Sequence, residues 1–150
     1  LIELGSASIA GELATRIVII KSDDPTAETL KEIAEELGHT ICGMAASETE
    51  AIRTIDEELP ALILTDLYFA DGCSTLPLLR NVFKKYPIPF IAVTSHPHLI
   101  HSERTLIPSS VVKKPFLPSA IHAAISHALF FQGSVKNTAN TAPNTVSVPL

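Results

Sequence analysis

Cysteine is scarce: Cys42 and Cys73 are the only two in 150 residues. That is too few for a disulfide framework, and neither stands at a metal-ligand spacing, so free thiols in a reducing compartment are expected. Cys73 would be redox-sensitive only with a lowered pKa; an ordinary thiol is the default. Long apolar runs are also lacking. None approaches the roughly 18 residues that a membrane helix needs, and no signal peptide is recognisable. The expectation is a cytoplasmic chain with no membrane partner. A basic stripe is absent and the formal net charge is −5, which speaks against direct nucleic-acid binding by this domain. Most acids fall in helix-like stretches such as Glu28–Glu32 and Glu35-Glu36, read as solvated faces. No internal repeat is visible. The chain opens on Leu1 rather than Met, as a fragment or processed chain would.

What is present reads as globular. Apolar residues make up 46% and charged residues 18%, and the length fits one domain with its own core. Residues 1–13 mix Gly, Ser and Ala with a few aliphatics and read as a linker or the remnant of a preceding segment. Residues 133–150, rich in Asn, Thr, Ser, Pro and Val without period, read as a disordered tail. The folded domain is expected over 14–132.

Within it strand and helix patterns alternate. Ile17–Ile20 is a continuous apolar run, the mark of a strand buried on both faces. Asp24-Pro25 opens a helix whose Ala27, Leu30, Ile33, Ala34 and Leu37 keep helical spacing until Gly38. A short strand follows over Thr40–Met44. Ser47 and Glu50 then form a capping-box pattern ahead of a helix carrying Ala51, Ile52, Ile55 and Leu59. Ala61–Thr65 predicts a third strand, Leu76–Tyr86 a third helix, Pro89–Val93 a fourth strand and Val111-Val112 the centre of a fifth. Pro118–Phe131 closes as a helix with Ile121, Ala124, Ile125, Ala128 and Leu129 inward. The segment from Ser95 to Ser110 holds Pro97 and Pro108 and no sustained period, so the fourth helix is expected to be short or irregular. The order implies right-handed crossovers and an α/β fold, a doubly wound five-stranded parallel sheet with helices on both faces.

Polar residues fall where such a sheet would gather them. Asp66 ends the run Ala61–Thr65, Asp23-Asp24 follows Ile17–Ile20, and Lys114-Pro115 follows Val111-Val112. The carboxyl ends of neighbouring parallel strands meet at one crevice, so these groups are expected to converge.

The pieces Ser22-Asp23-Asp24-Pro25, Leu62–Asp66 with Ala70-Asp71-Gly72, Ile91–Thr94 and Lys114-Pro115-Phe116 occur in order, each at a strand end. With them, residues 15–131 resemble the receiver domain of two-component response regulators, a flavodoxin-like fold. Thr94–Pro97, Lys114–Phe116 and the closing Ala123–Phe131 are similar to receivers attached to a sigma-factor-like domain in general stress-response regulators. The resemblance implies phosphoryl transfer to Asp66 from a histidine kinase or phosphotransfer protein, with Mg²⁺. Asp66 would be phosphoacceptor and metal ligand, Asp23 a direct ligand, and the Tyr68 backbone carbonyl another. Thr94 would donate its hydroxyl to a phosphoryl oxygen, and Lys114 would pair with the phosphoryl group and the Asp66 carboxylate. An output protein or domain would read the state at the last strand and helix. Such a module catalyses its own phosphorylation and is not an enzyme for a separate substrate.

The chemistry needs these groups. A carboxylate and a phosphoryl group repel, and a cation offsets the repulsion while orienting an in-line displacement. Mg²⁺ keeps several waters, so one or two carboxylates and a carbonyl suffice. A lysine supplies a point charge for the developing anion. Pro115 can fix its loop, a cis bond being one way.

Two departures from the family pattern matter. Ser22 stands where the outer acid is usual, and Lys21 where an apolar residue is usual; both point to weaker Mg²⁺ binding. Asp24 can serve as a compensating ligand or as a helix cap, and the cap is favoured. Ser110 and Val111 stand where the switch aromatic is expected. These departures motivate an alternative, a degenerate pseudo-receiver acting as a phosphorylation-independent interaction module. An aspartyl-nucleophile phosphatase of the haloacid dehalogenase type wants a second acid two residues after the nucleophile, where Tyr68 stands. A flavodoxin-like cofactor binder lacks its phosphate cradle after the first strand. His96, His98 and His101 are read as solvated loop residues, His122 and His127 as surface, and Phe116, Phe130 and Phe131 as core or helix-packing residues.

Overall fold

The computed structural model describes residues 15–22, 24–101 and 104–138, with residues 131–138 described by backbone alone. The segment 1–13, Asp23, the side chain of Phe131 and residues 139–150 of the expected tail lie outside the described residues.

Five strands form one parallel sheet: β1 (Arg16–Ile20), β2 (Thr40–Ala45), β3 (Leu62–Thr65), β4 (Phe90–Thr94) and β5 (Ser110–Lys113), in the order β2-β1-β3-β4-β5. The helices between them are α1 (Thr26–Glu36), α2 (Glu48–Glu58), α3 (Leu76–Lys85) and α4 (Pro97–His101), with α5 (Pro118–Thr138) last. The doubly wound expectation and the short fourth helix, five residues long, both hold.

Strand side chains alternate between the two faces. Ile17, Ile19, Leu62, Leu64, Ile91 and Val93 point to one layer, against Leu30 and Ile33 of α1 and Ile121 and Ile125 of α5. Val18, Ile20, Ile63, Phe90 and Ala92 point to the other, against Ile55 of α2, Leu78, Leu79 and Val82 of α3, and Ile100 of α4. Continuous apolar strands are therefore required, because both faces are covered.

Local signals set most helix ends. Ser47 Oγ accepts the Glu50 N–H at 3.3 Å and Glu50 Oε1 accepts the Ala46 N–H at 2.8 Å, so the capping box forms. Gly38, at φ 91°, takes the left-handed turn that closes α1. The end of α2 is less ordinary, since Leu59 adopts φ 45° there and Ile52 and Leu59 are both exposed. Only Ala51 and Ile55 of that helix are buried.

Three expectations at the last helix are corrected. The helix runs seven residues past Phe131, to Thr138, because residues 132–138 carry no helix breaker other than Gly133. Phe130 is exposed, not core. It lies two residues beyond buried Ala128, about 200° round the helix, and so off the inward stripe. His122 is half-buried, with its Nε2 out of contact with solvent and without a hydrogen-bond partner; one residue from buried Ile121, about 100° round the helix, it borders the inward stripe.

Candidate functional site

The strand order reverses at β1, with β2 on one side of it and β3 on the other. Ile20 pairs with Thr65 in register, so the loops carrying Asp24 and Asp66 leave the sheet side by side at that switch point. β5 lies two strands from β3, beyond β4. Thr94 is paired with Lys113, and the Lys114 N–H donates to the Thr94 carbonyl at 2.9 Å. From there the Lys114 side chain reaches back to Asp66. The Lys114–Pro115 peptide is cis.

Lys114 Nζ donates to Asp66 Oδ2 at 2.5 Å and to Asp24 Oδ2 at 2.7 Å. Its side chain is 12% exposed and that of Asp66 13%, whereas Asp24 is 39% exposed. Burial pushes the Lys114 amine down, but the hydrogen bonds and charges of Asp24 and Asp66 outweigh it and raise the pKa above the ordinary 10.5. Burial likewise pushes the Asp24 carboxyl up. The bonds from Lys114, Thr26 and Ser22 overcome that and hold it well below its ordinary 3.8.

Asp24 bonds at the start of α1, the role the sequence favoured, and meets a second partner as well. Its Oδ1 accepts the Thr26 N–H at 3.0 Å, at the start of α1, and the Ser22 hydroxyl at 2.9 Å. Its Oδ2 belongs to the Lys114 cluster. The two oxygens of this one carboxylate therefore face different partners. Lys21, read as a positive charge near the site, pairs with Glu28 at 3.4 Å.

A cleft of about 250 Å³ opens here, lined by Ser22, Asp24, Asp66, Tyr68, Ser95, His96 and Lys114 among others. His96 therefore borders the acid cluster rather than standing in an unrelated loop. Thr94 is fully buried and its Oγ1 accepts the His96 N–H at 2.9 Å. The Tyr68 backbone is held by a bridge: Phe69 N–H bonds to the Cys73 carbonyl and Thr75 N–H to the Leu67 carbonyl, around the pair Tyr68 and Ser74. In such a non-hydrogen-bonded antiparallel pair the residue's own carbonyl points away from its partner strand. Cys73 is free and exposed, and the Asp71 carboxylate beside it pushes its thiol up, away from reactivity.

Two hydroxyls in this loop were missed in the sequence. Thr65 Oγ1 and Thr75 Oγ1 both donate to the Asp66 carbonyl, at 2.6 and 2.8 Å, and both threonines are fully buried. A threonine on each side of an acidic loop was the available signal.

The donor chemistry fits Mg²⁺. The carboxylates of Asp24 and Asp66, the Tyr68 carbonyl and the Ser22 hydroxyl are hard oxygens, and this ion needs only one or two carboxylates. Among the described residues no three His, Cys, Asp or Glu side chains converge on one point.

With this geometry, relatives can be compared. No protein-family model matches the chain. A solution structure of the receiver domain of the PhyR response regulator from Erythrobacter litoralis is 32% identical, covering 89% of this chain and 97% of that one, with a TM-score of 0.72. The chain belongs to the PhyR receiver domains. The Phyllosphere-induced regulator PhyR of Methylorubrum extorquens is 35% identical over 137 residues, 91% of this receiver chain and 51% of that protein. A crystal structure described as the anti-anti-sigma factor PhyR from Bartonella quintana is 33% identical and covers 91% of this chain and 56% of its own, with a TM-score of 0.74. The chain therefore spans about half the length of the full regulators it matches.

Proposed function

We propose that this receiver domain takes a phosphoryl group on Asp66 from a histidine kinase or phosphotransfer protein. The observation that carries the reading is the Lys114 amine, 2.5 Å from Asp66 Oδ2 at the floor of an open cleft. A nucleophilic carboxylate oxygen and a fixed cation beside it are what acyl phosphate formation needs. Asp66 Oδ2 attacks the phosphorus of a phosphohistidine, the P–N bond breaks, and the imidazole nitrogen leaves with the electron pair. Lys114 holds the incoming negative charge on the Asp66 side. Thr94 would turn its hydroxyl from the His96 amide to a phosphoryl oxygen, a charge-assisted exchange.

Mg²⁺ would be held by Asp66, the Tyr68 carbonyl and Asp23, with Asp24 near enough to contribute, and it would neutralise charge on the transferring group. The reaction is self-catalysed, so the domain is a signalling module rather than an enzyme for a separate substrate. The longer regulator in Bartonella is described as an anti-anti-sigma factor; by that likeness the phosphorylated domain would control an anti-sigma partner through its own output domain or protein. The groove of about 710 Å³ between β5 and α5, lined by Val111, Lys113, Phe116, Leu117, Ala120 and Ala123 among others, is where such an output would read the state. Among the described residues no helix is long and apolar enough to cross a membrane.

Incubation with acetyl phosphate and Mg²⁺ tests the reading. Intact mass should rise by one phosphoryl group in wild type and not in Asp66→Asn. An unresponsive, folded wild type would favour the phosphorylation-independent interaction module. That second reading draws on Ser110 and Val111, which give β5 no aromatic ring to flip inward.

A further inference from the structure

The peptide joining Asp66 to Leu67 is gripped at both ends. Its carbonyl accepts the hydroxyls of Thr65 and Thr75. Its N–H, that of Leu67, donates to Asp66 Oδ1 at 2.6 Å. The second oxygen of the same carboxylate, Oδ2, is the one that meets Lys114. A rigid planar unit therefore ties the orientation of the carboxylate to the two hydroxyls.

We infer that Thr75 is a positioning residue for the phosphoacceptor, resting on the phosphoacceptor reading above. Its hydroxyl holds the 66–67 peptide so that the Leu67 N–H occupies Oδ1 and Oδ2 faces the incoming phosphoryl group. Thr75 suits this task because it is fixed from two sides. Its N–H bonds to the Leu67 carbonyl at 2.9 Å, and its carbonyl accepts the Leu79 N–H at 3.0 Å in the first turn of α3. Its side chain makes no cap bond to α3, so the hydroxyl is spent on Asp66. Thr65 contributes the second donor from the end of β3, but it is sequence-adjacent and carries no information from another element. Through Thr75 the N-terminus of α3 is mechanically joined to the reacting carboxylate.

Loss of the hydroxyl frees the peptide to rotate, and the carboxylate then samples orientations in which Oδ2 is off line. Removing an oriented hydrogen bond of this kind should slow phosphorylation by roughly fivefold to tenfold.

The test compares Thr75→Val with Thr75→Ser in the same chain. Initial rates of phosphorylation by acetyl phosphate at saturating Mg²⁺ are measured beside the amide resonance of Leu67 in the unphosphorylated protein. Thr75→Val should show the rate loss and a displaced Leu67 amide, and Thr75→Ser should restore both. Should Thr75→Val not fold, Thr75→Ala replaces it, with the same two readouts. A folded variant without the hydroxyl that keeps the wild-type rate and the wild-type Leu67 resonance overturns the inference alone. A wild type as inert as Asp66→Asn overturns the phosphoacceptor reading, and the inference with it.

Discussion

Lys114 and Asp24 stand 90 positions apart in the chain, yet Nζ and Oδ2 are 2.7 Å from one another. The amine answers two carboxylates at once, and one of them also steadies the start of α1 through the Thr26 N–H. Helix, strand end and Asp66 are therefore electrostatically linked, and this link has a defined pH response.

The Asp24 carboxyl lies below its ordinary 3.8 in the folded protein, so the folded state favours its ionised form. Its stabilisation is complete above pH 3.8 and lost as pH falls through the depressed folded value. Urea unfolding of wild type and Asp24→Asn should differ most, in favour of wild type, at neutral pH. The gap should hold down to about pH 4 and narrow steadily below it. A gap that widens on acidification would contradict the geometry.

Ser22 donates to Asp24 rather than presenting a carboxylate to the cleft. Ser22→Asp should add a hard anionic oxygen and tighten Mg²⁺ binding, by roughly tenfold if the new acid ligates directly. Titration of Mg²⁺ against amide shifts of the cleft residues measures it. The same variant should lose stability without Mg²⁺, because a second anion then crowds Asp24.

β2 approaches α2 closely at Gly43. A methyl added there would lie 2.4 Å from Thr54 Cγ2. Gly43→Ala is expected to cost roughly 1–2 kcal/mol through overpacking, and the cost should shrink in a Thr54→Ala background that lacks the clashing methyl. A double-mutant cycle by chemical denaturation reads the coupling, and a coupling near zero would show that Thr54 turns aside freely.

Leu59 ends α2 at φ 45°, a region that L side chains enter only at a cost, and it is 55% exposed. Leu59→Gly should raise the unfolding free energy by roughly 0.5–1 kcal/mol, since the relieved strain exceeds the little apolar burial lost. Thermal melts should move upward accordingly.

The residues that made the site readable were those whose neighbours in sequence already fixed their place. Asp66 follows four buried strand residues, and a strand buried on both faces must deliver its next polar residue to the sheet's edge. Lys114 comes directly after β5, whose centre is the apolar pair Val111-Val112. Asp23, drawn from the same pattern, lies outside the described residues. Where local pattern failed, a neighbouring element was the cause. Thr75 spent its hydroxyl on Asp66 rather than on its own helix.

By itself the sequence determined the alternation of strands and helices, the two-faced burial of the sheet, and which end of it carries the acids and the lysine. These follow from hydrophobic spacing, which each segment satisfies within its own few residues. Only the tertiary structure decided that Asp24 divides its oxygens between α1 and Lys114, and that two threonines close on one peptide. Such partnerships depend on the path of each loop after its strand, and a directional hydrogen bond is fixed by distances of a few tenths of an ångström that spacing along a chain does not encode.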